Sequence, residues 1–197
     1  MNTRARILDA TEHVITERGL ARATTKEIAR AAGVAEATLF KYFDRKEDLL
    51  LAAVHAHVPA FVAVVQPDQA GTRPLDTQLQ AITQAAMAYY AHLLPLTIAL
   101  CADAALLARH REWMQAQQAG PQRIYESVAA YIAAEQRVGR LDAARDPLSV
   151  AALLLGPAFQ YTFLRYFMGA DLLPGSEQAF VATLVQTLLA GVALRGG

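Results

Sequence analysis

An all-α fold is predicted for these 197 residues: a three-helix helix-turn-helix domain at the N-terminus, then a larger helical domain, about nine to ten helices in all. Three observations predict it. Apolar residues recur at spacings of three and four along nearly the whole chain, and no stretch alternates as a half-buried strand does. Helix stops punctuate it at Gly19, Gly33, Pro67 through Pro74, Gly120-Pro121, Gly139 through Pro147 and Gly169 through Ser176. The hydrophobic fraction is 54%, above the usual ~45–50%, which leaves apolar surface for a subunit interface or a cavity, alanine richness being the bland alternative.

The elements follow in order. Residues 4–18 place Ile7, Leu8, Thr11, Val14 and Ile15 on one stripe and stop at Gly19. Thr24-Thr25-Lys26-Glu27 is a capping box that opens a helix over 25–32. Gly33 ends it, and a second short helix spans 36–43. Asp44-Arg45-Lys46-Glu47 looks like another capping box, starting a long helix over 45–66 that bends near Pro59. After the Pro67–Pro74 loop, helices are expected over 75–93, 95–107, 109–118, 121–138, 147–168 and 176–194. Asp146-Pro147 supplies a cap and a proline at the first helical position.

The informative stretch is 24–50, TTKEIARAAGVAEATLFKYFDRKEDLL. Two short helices around a glycine have helix-turn-helix spacing. Ile28 and Leu39 face each other, Ala29 is small where the helices cross, and Gly33 takes the sharp turn with φ > 0. Val34 plugs the turn, and Phe43 and Leu49 bury against the first helix. Net charge over the whole chain is zero, but all three lysines, Lys26, Lys41 and Lys46, fall inside this stretch. Phosphate affinity depends on that local placement.

The stretch resembles the DNA-binding domain of the TetR/AcrR family of transcriptional regulators. The resemblance rests on Ile7-Leu8-Asp9-Ala10 through Ile15 and Gly19, the IARAAGV core, Thr38-Leu39-Phe40-Lys41-Tyr42-Phe43, and Lys46-Glu47-Asp48-Leu49-Leu50. It implies a DNA-binding domain over 1–46 and a helical ligand-binding and dimerisation domain over 47–197. It implies that 36–43 is the recognition helix, with Glu36, Ala37 and Thr38 facing base edges: a carboxylate accepts from cytosine N4, and methyls meet thymine. Lys26 would reach a base or a phosphate. Thr25, Lys41, Tyr42 and Lys46 would hold phosphates and position the protein without specifying sequence. Two residues depart from the pattern. Ala35 stands where the family often has Ser, so the recognition helix lacks a side-chain cap. Phe40 replaces a common Tyr and loses a phosphate hydrogen bond.

Over the rest of the chain the resemblance implies a homodimer, a repressor released from a palindromic operator by a small apolar or weakly polar ligand. In the 176–194 helix, Phe180, Leu184 and Leu188 form an i, i+4, i+8 stripe suited to a dimer interface. Aromatic and soft residues suited to a pocket are Phe61, Met87, Tyr90, Trp113, Tyr125, Phe159 and Phe163. Leu155 shares a face with Phe159 and Phe163, whereas Leu154, Tyr161 and Leu164 point elsewhere. Asp103, His92 and Gln160 are candidate polar anchors.

Other classes find no support. HExxH, GxSxG, a Gly-rich phosphate loop and paired cysteines are absent from the sequence, so neither catalytic nor metal-binding residues nor a cofactor are expected. His55 and His57, two apart, point to different sides of a helix. Cys101, the single cysteine, lies in an apolar run and is expected to be buried and inert. The apolar run 49–65 is interrupted by His55, His57 and Pro59 and is too short to span a bilayer. No export signal opens the chain, and a cytoplasmic protein without a membrane partner is expected. The rival functional class is a DNA-bound architectural or adaptor protein of the same fold with no effector.

Overall fold

The computed structural model describes residues 2–19, 23–56, 58–116, 120–170 and 175–192. Among them it is all-helical: α1 Thr3–Arg18, α2 Thr25–Ala31, α3 Glu36–Leu39, α4 Lys46–Val54, α5 Val58–Val62, α6 Leu75–Cys101, α7 Ala104–Ala116, α8 Gln122–Arg137, α9 Pro147–Met168 and α10 Glu177–Val192, with one 3-10 turn at Pro67–Gln69. The chain forms two compact units, residues 1–57 with 92–119, and 58–91 with 120–197. Neither unit is continuous in sequence, whereas the sequence expectation drew one boundary, at 46/47.

Several boundaries differ from expectation for identifiable reasons. The expected 45–66 helix is two helices. Pro59 has no N–H for the carbonyl of His55, so α4 stops at Val54 and the chain restarts at Val58, with the proline in the first turn. Pro95, by contrast, does not stop α6. Its missing bond orphans only the carbonyl of Ala91, an exposed residue that water reaches, while the buried Leu94 and Leu96 anchor both sides. The break falls at Ala102-Asp103 instead, where Asp103 Oδ1 accepts from the amide of Leu106 at 3.0 Å. Asp103, a candidate polar anchor, is therefore a helix cap. Cys101, the last residue of α6, is exposed and not buried, because its neighbour Leu100 turns inward. The 44–47 capping box does not form either: Arg45 is the N-cap of α4 and makes no side-chain bond there. Asp146 behaves as expected, accepting from the Ser149 amide at 2.8 Å with Pro147 at the first position.

In the first unit, Ile7, Leu8, Val14, Ile15, Ile28, Leu39 and Leu49 share one buried cluster with Leu96, Leu100 and Leu106. The far end of α6 and the start of α7 therefore pack against the N-terminal helices. In the second unit, α9 packs against α8 and α10. Its buried residues are Val150, Ala151, Leu154, Leu155, Ala158, Tyr161 and Thr162. By length and composition α9 is long and apolar enough to cross a membrane, a property the test of the 49–65 run did not reach.

Candidate nucleic-acid interface

The turn between α2 and α3 is built as its residue types require. Thr24 Oγ1 accepts from the Glu27 amide at 3.2 Å, which opens α2. The reciprocal half of the box is spent elsewhere: Glu27 Oε1 takes Arg18 Nη1 at 2.6 Å. Gly33 has φ +64, the left-handed conformation that glycine adopts without strain. Arg6 of α1 closes the turn, donating from Nη2 to the carbonyls of Ala32 at 2.6 Å and Gly33 at 3.4 Å. A Cβ on Gly33 would lie 3.0 Å from that nitrogen. Ile28, Ala29 and Leu39 are fully buried behind the turn, and Phe43 and Leu49 are buried beside them.

Regular α-helix in α3 ends at Leu39, not at 43. Hydrogen-bonded turns carry it on: the Tyr42 and Phe43 amides both donate to the Leu39 carbonyl, at 2.9 and 3.0 Å. Ala35 makes no side-chain cap bond, as its methyl requires. Phe43 turns inward with the Arg4 guanidinium 5.4 Å above its ring.

All eight residues expected to meet DNA lie at the surface of this one unit. Lys26, Glu36, Ala37, Lys41 and Tyr42 are exposed, and Thr25, Thr38 and Lys46 are half-buried. Two are brought into direct contact: Thr25 Oγ1 donates to Glu36 Oε1 at 2.5 Å. Exposed Phe40 and Arg45 join the same surface. The placement of Arg6 escaped the sequence reading, because nothing local marks an arginine of α1 as the cap of a turn some 26 residues on.

The same unit ties α4 to α7 at both ends. Arg109 Nη1 lies 3.7 Å from Glu47 Oε2, and its Nη2 lies 3.4 Å from Asp48 Oδ1. At the other end His55 stacks on His110, ring centroids 5.2 Å apart, and tilts against Trp113 at 4.4 Å. His92 joins Glu12 at 2.5 Å, so this candidate anchor is a link to α1. His57 lies outside the described residues. No group of three or more metal-ligating side chains occurs among the described residues.

Burial, then the neighbouring His110, pushes the His55 pKa down to about 4; burial also lowers that of His110. The unfolded chain thus takes up protons near the ordinary value of 6.5 while the folded unit resists them. Stability is full above about pH 6.5 and is lost as pH falls toward 4. With part of the ring in water, the expected loss is about 1–2 kcal/mol. Urea midpoints at pH 7.5 and 5, for the wild type and His55→Phe, measure it: the variant should lose less. An equal fall in both proteins would remove His55 as the cause.

In the second unit the expected ligand residues are partly gathered. Phe61, Tyr89, Tyr90, Phe159 and Phe163 form a row of ring contacts with centroids 5.3–6.2 Å apart. Burial raises the pKa of Tyr89 to about 12. Burial raises that of Tyr90 as well, reinforced by Tyr125, whose side chain is hydrogen-bonded to it. Met87 lines a separate groove of about 600 Å³ with Tyr161, Thr162, Arg165 and Glu177. Trp113 belongs to the first unit and is not in this row. Leu155 is fully buried with Leu154, while Phe159 and Phe163 are exposed, so the helix face expected to hold all three is divided. Gln160 is exposed.

The expected dimer stripe is divided too. Leu188 is buried in its own chain, and Phe180 stacks on Tyr161 at 4.6 Å; Leu184 is half-buried. In this unit α9 carries most of the exposed large apolar residues: Leu148, Leu153, Phe159, Phe163, Phe167 and Met168.

Comparison with known proteins identifies the N-terminal domain. Residues 7–53 match the model of the bacterial regulatory proteins of the tetR family. Residues 7–53 therefore carry the DNA-binding domain of the TetR family of regulators. An HTH-type transcriptional regulator of Mycobacterium tuberculosis is 52% identical over 50 residues, 25% of either chain. The fatty acid metabolism regulator protein of Bacillus subtilis is 36% identical over 62 residues, 32% of either chain. These matches span only about a quarter to a third of the relatives' length. Likeness in fold extends over nearly all of the chain: the fatty acid degradation regulator FadR from Bacillus halodurans superposes with a TM-score of 0.71 at 20% identity, covering 96% of this chain and 95% of its own.

Proposed function

We propose that this TetR-family protein is a ligand-responsive repressor. It binds a palindromic operator as a homodimer and is released by a small apolar or weakly polar molecule. Residues 1–46 read DNA and 47–197 serve ligand and partner. The observation that carries the reading is the α2-turn-α3 surface: a closed apolar core behind it, and Lys26, Glu36, Ala37 and Lys41 exposed in front. The apolar face of α9 supports a partner, because an exposed patch of large apolar side chains is characteristic of an interface. Two copies would set two α3 helices into successive major grooves. The groove beside Met87, the aromatic row, and the names of the two fatty acid regulators support an apolar ligand.

Release then requires a coupling of about 1–3 kcal/mol between ligand and DNA. The moving part is α4 rather than the long helix expected over 45–66, and α7 grips it through Arg109 and His55. α6 gives Leu75–Ala91 to the second unit and the rest to the first, and so connects them through the chain.

Two substitutions test the reading. Lys46→Ala is expected to weaken binding about equally on all sequences and to reduce the salt slope by about one. Thr38→Ala is expected to change sequence preference, costing about 1–3 kcal/mol on the selected operator alone. Anisotropy titrations of a selected duplex and a scrambled one, over a range of salt, separate the two. Sequence-blind losses from both would remove α3 from the groove.

A further inference from the structure

Thr25 and Glu36 come from different helices, yet a side-chain hydrogen bond joins them, Thr25 Oγ1 donating to Glu36 Oε1 at 2.5 Å. Glu36 is the first residue of α3 and is exposed, and Ala35 before it supplies no side-chain cap. A threonine hydroxyl has one proton. While Thr25 donates it to Glu36, it cannot donate it to a phosphate, which only accepts. The Thr25 hydroxyl proton is thus committed to Glu36, and only the Thr25 amide is left to meet a phosphate.

We propose that Thr25 is a positioning residue for base reading: its hydroxyl holds the Glu36 carboxylate at the head of α3, so that Glu36 selects a cytosine at one operator position. This rests on the assignment of α3 as the groove helix. A free glutamate on an exposed helix start samples many rotamers. With Oε1 held by Thr25, Oε2 stays available to accept. In the major groove it can accept from the cytosine N4 amino group, while guanine O6 and N7 and thymine O4 present acceptors that repel it, and adenine sets its N6 donor beside the repelling N7 acceptor. Glu36 also sets a negative charge on a surface that meets phosphates, so wrong sequences carry an unrelieved repulsion. The pair thus sharpens selectivity while lowering general affinity.

The test uses the full-length protein and a randomised duplex pool. Selection defines the wild-type operator; anisotropy then measures affinity for that duplex and for a version with the cytosine pair replaced by a thymine pair. The wild type should prefer the cytosine version by about tenfold or more. Glu36→Gln should abolish that preference. Thr25→Val should lower it several-fold at that position only, with the other positions and the salt slope unchanged, and Thr25→Ser should restore it. The proposal is overturned if Thr25→Val leaves the cytosine preference intact, whether affinity falls uniformly, falls with a flatter salt slope, or does not change. A pool from which the wild type enriches no motif would overturn the groove assignment itself, and the inference with it. Enrichment with an unaltered preference in Thr25→Val removes the inference alone.

Discussion

Ile28→Ala is expected to destabilise the N-terminal unit by about 2–5 kcal/mol and to abolish operator binding at concentrations that saturate the wild type. Ile28 has no exposed surface, and Leu39 and Ala29 around it are nearly as buried. The cavity cannot readily collapse. α2 and α3 are held apart by the Gly33 turn, and Arg6 clamps that turn to α1. The loss is comparable with a large part of a domain's ~5–15 kcal/mol. Binding should fail because the α2–α3 angle is lost, while the charged face is untouched. Urea unfolding followed by far-UV circular dichroism gives the stability change, and Ala37→Ser on the exposed side serves as control, with an expected effect within ~0.5 kcal/mol. A loss under about 1 kcal/mol for Ile28→Ala would mean that the two helices do not meet at this side chain.

The second large effect is expected in the other unit, from Glu135→Ala. Glu135 is fully buried on α8. Its Oε1 accepts from the Tyr131 hydroxyl and from the Gly71 amide at 3.4 Å, and its Oε2 lies 3.3 Å from Arg140 Nε. Arg140 Nη2 in turn donates to the Arg73 carbonyl at 2.7 Å. One carboxylate thus fastens the loop before α6 to α8 and to the turn after it. Removing it strands a buried hydroxyl and a guanidinium. Loss of one partner from a buried charged pair costs about 3–5 kcal/mol; the lower end is expected here, since Arg140 can regain some water. Limited proteolysis should then cut between residues 70 and 74 faster than in the wild type. Glu135→Leu combined with Tyr131→Phe should recover part of the loss, because the Tyr131 hydroxyl is then no longer stranded, while Arg140 and the Gly71 amide still lack the carboxylate. If Glu135→Ala unfolds at the wild-type midpoint, the network contributes nothing net.

The two effects differ in how visible they were in the sequence. Ile28, Leu39, Gly33 and Val34 follow from local rules, because a tight turn between two short helices admits few residue types at few positions. The spacing of these residues is that of a helix-turn-helix. Glu135 carried no such mark. Its partners lie 64 residues before it at Gly71 and a few residues on at Arg140, and no periodicity relates them.

The helical periodicity of this chain and its helix-turn-helix spacing were legible without a structure, because both arise between residues a few positions apart. Which apolar stripe meets which neighbour was not legible. Phe180 and Leu188 look like a free stripe until Tyr161 and the chain's own core cover them. Leu155 and Phe159 share a helix face, yet one is buried and the other exposed. His55 acquires its altered acidity only because α7 brings His110 and Trp113 against it. Apolar contact has no direction of its own, so a sequence can state that a face must be covered, and only the packing of distant segments assigns what covers it.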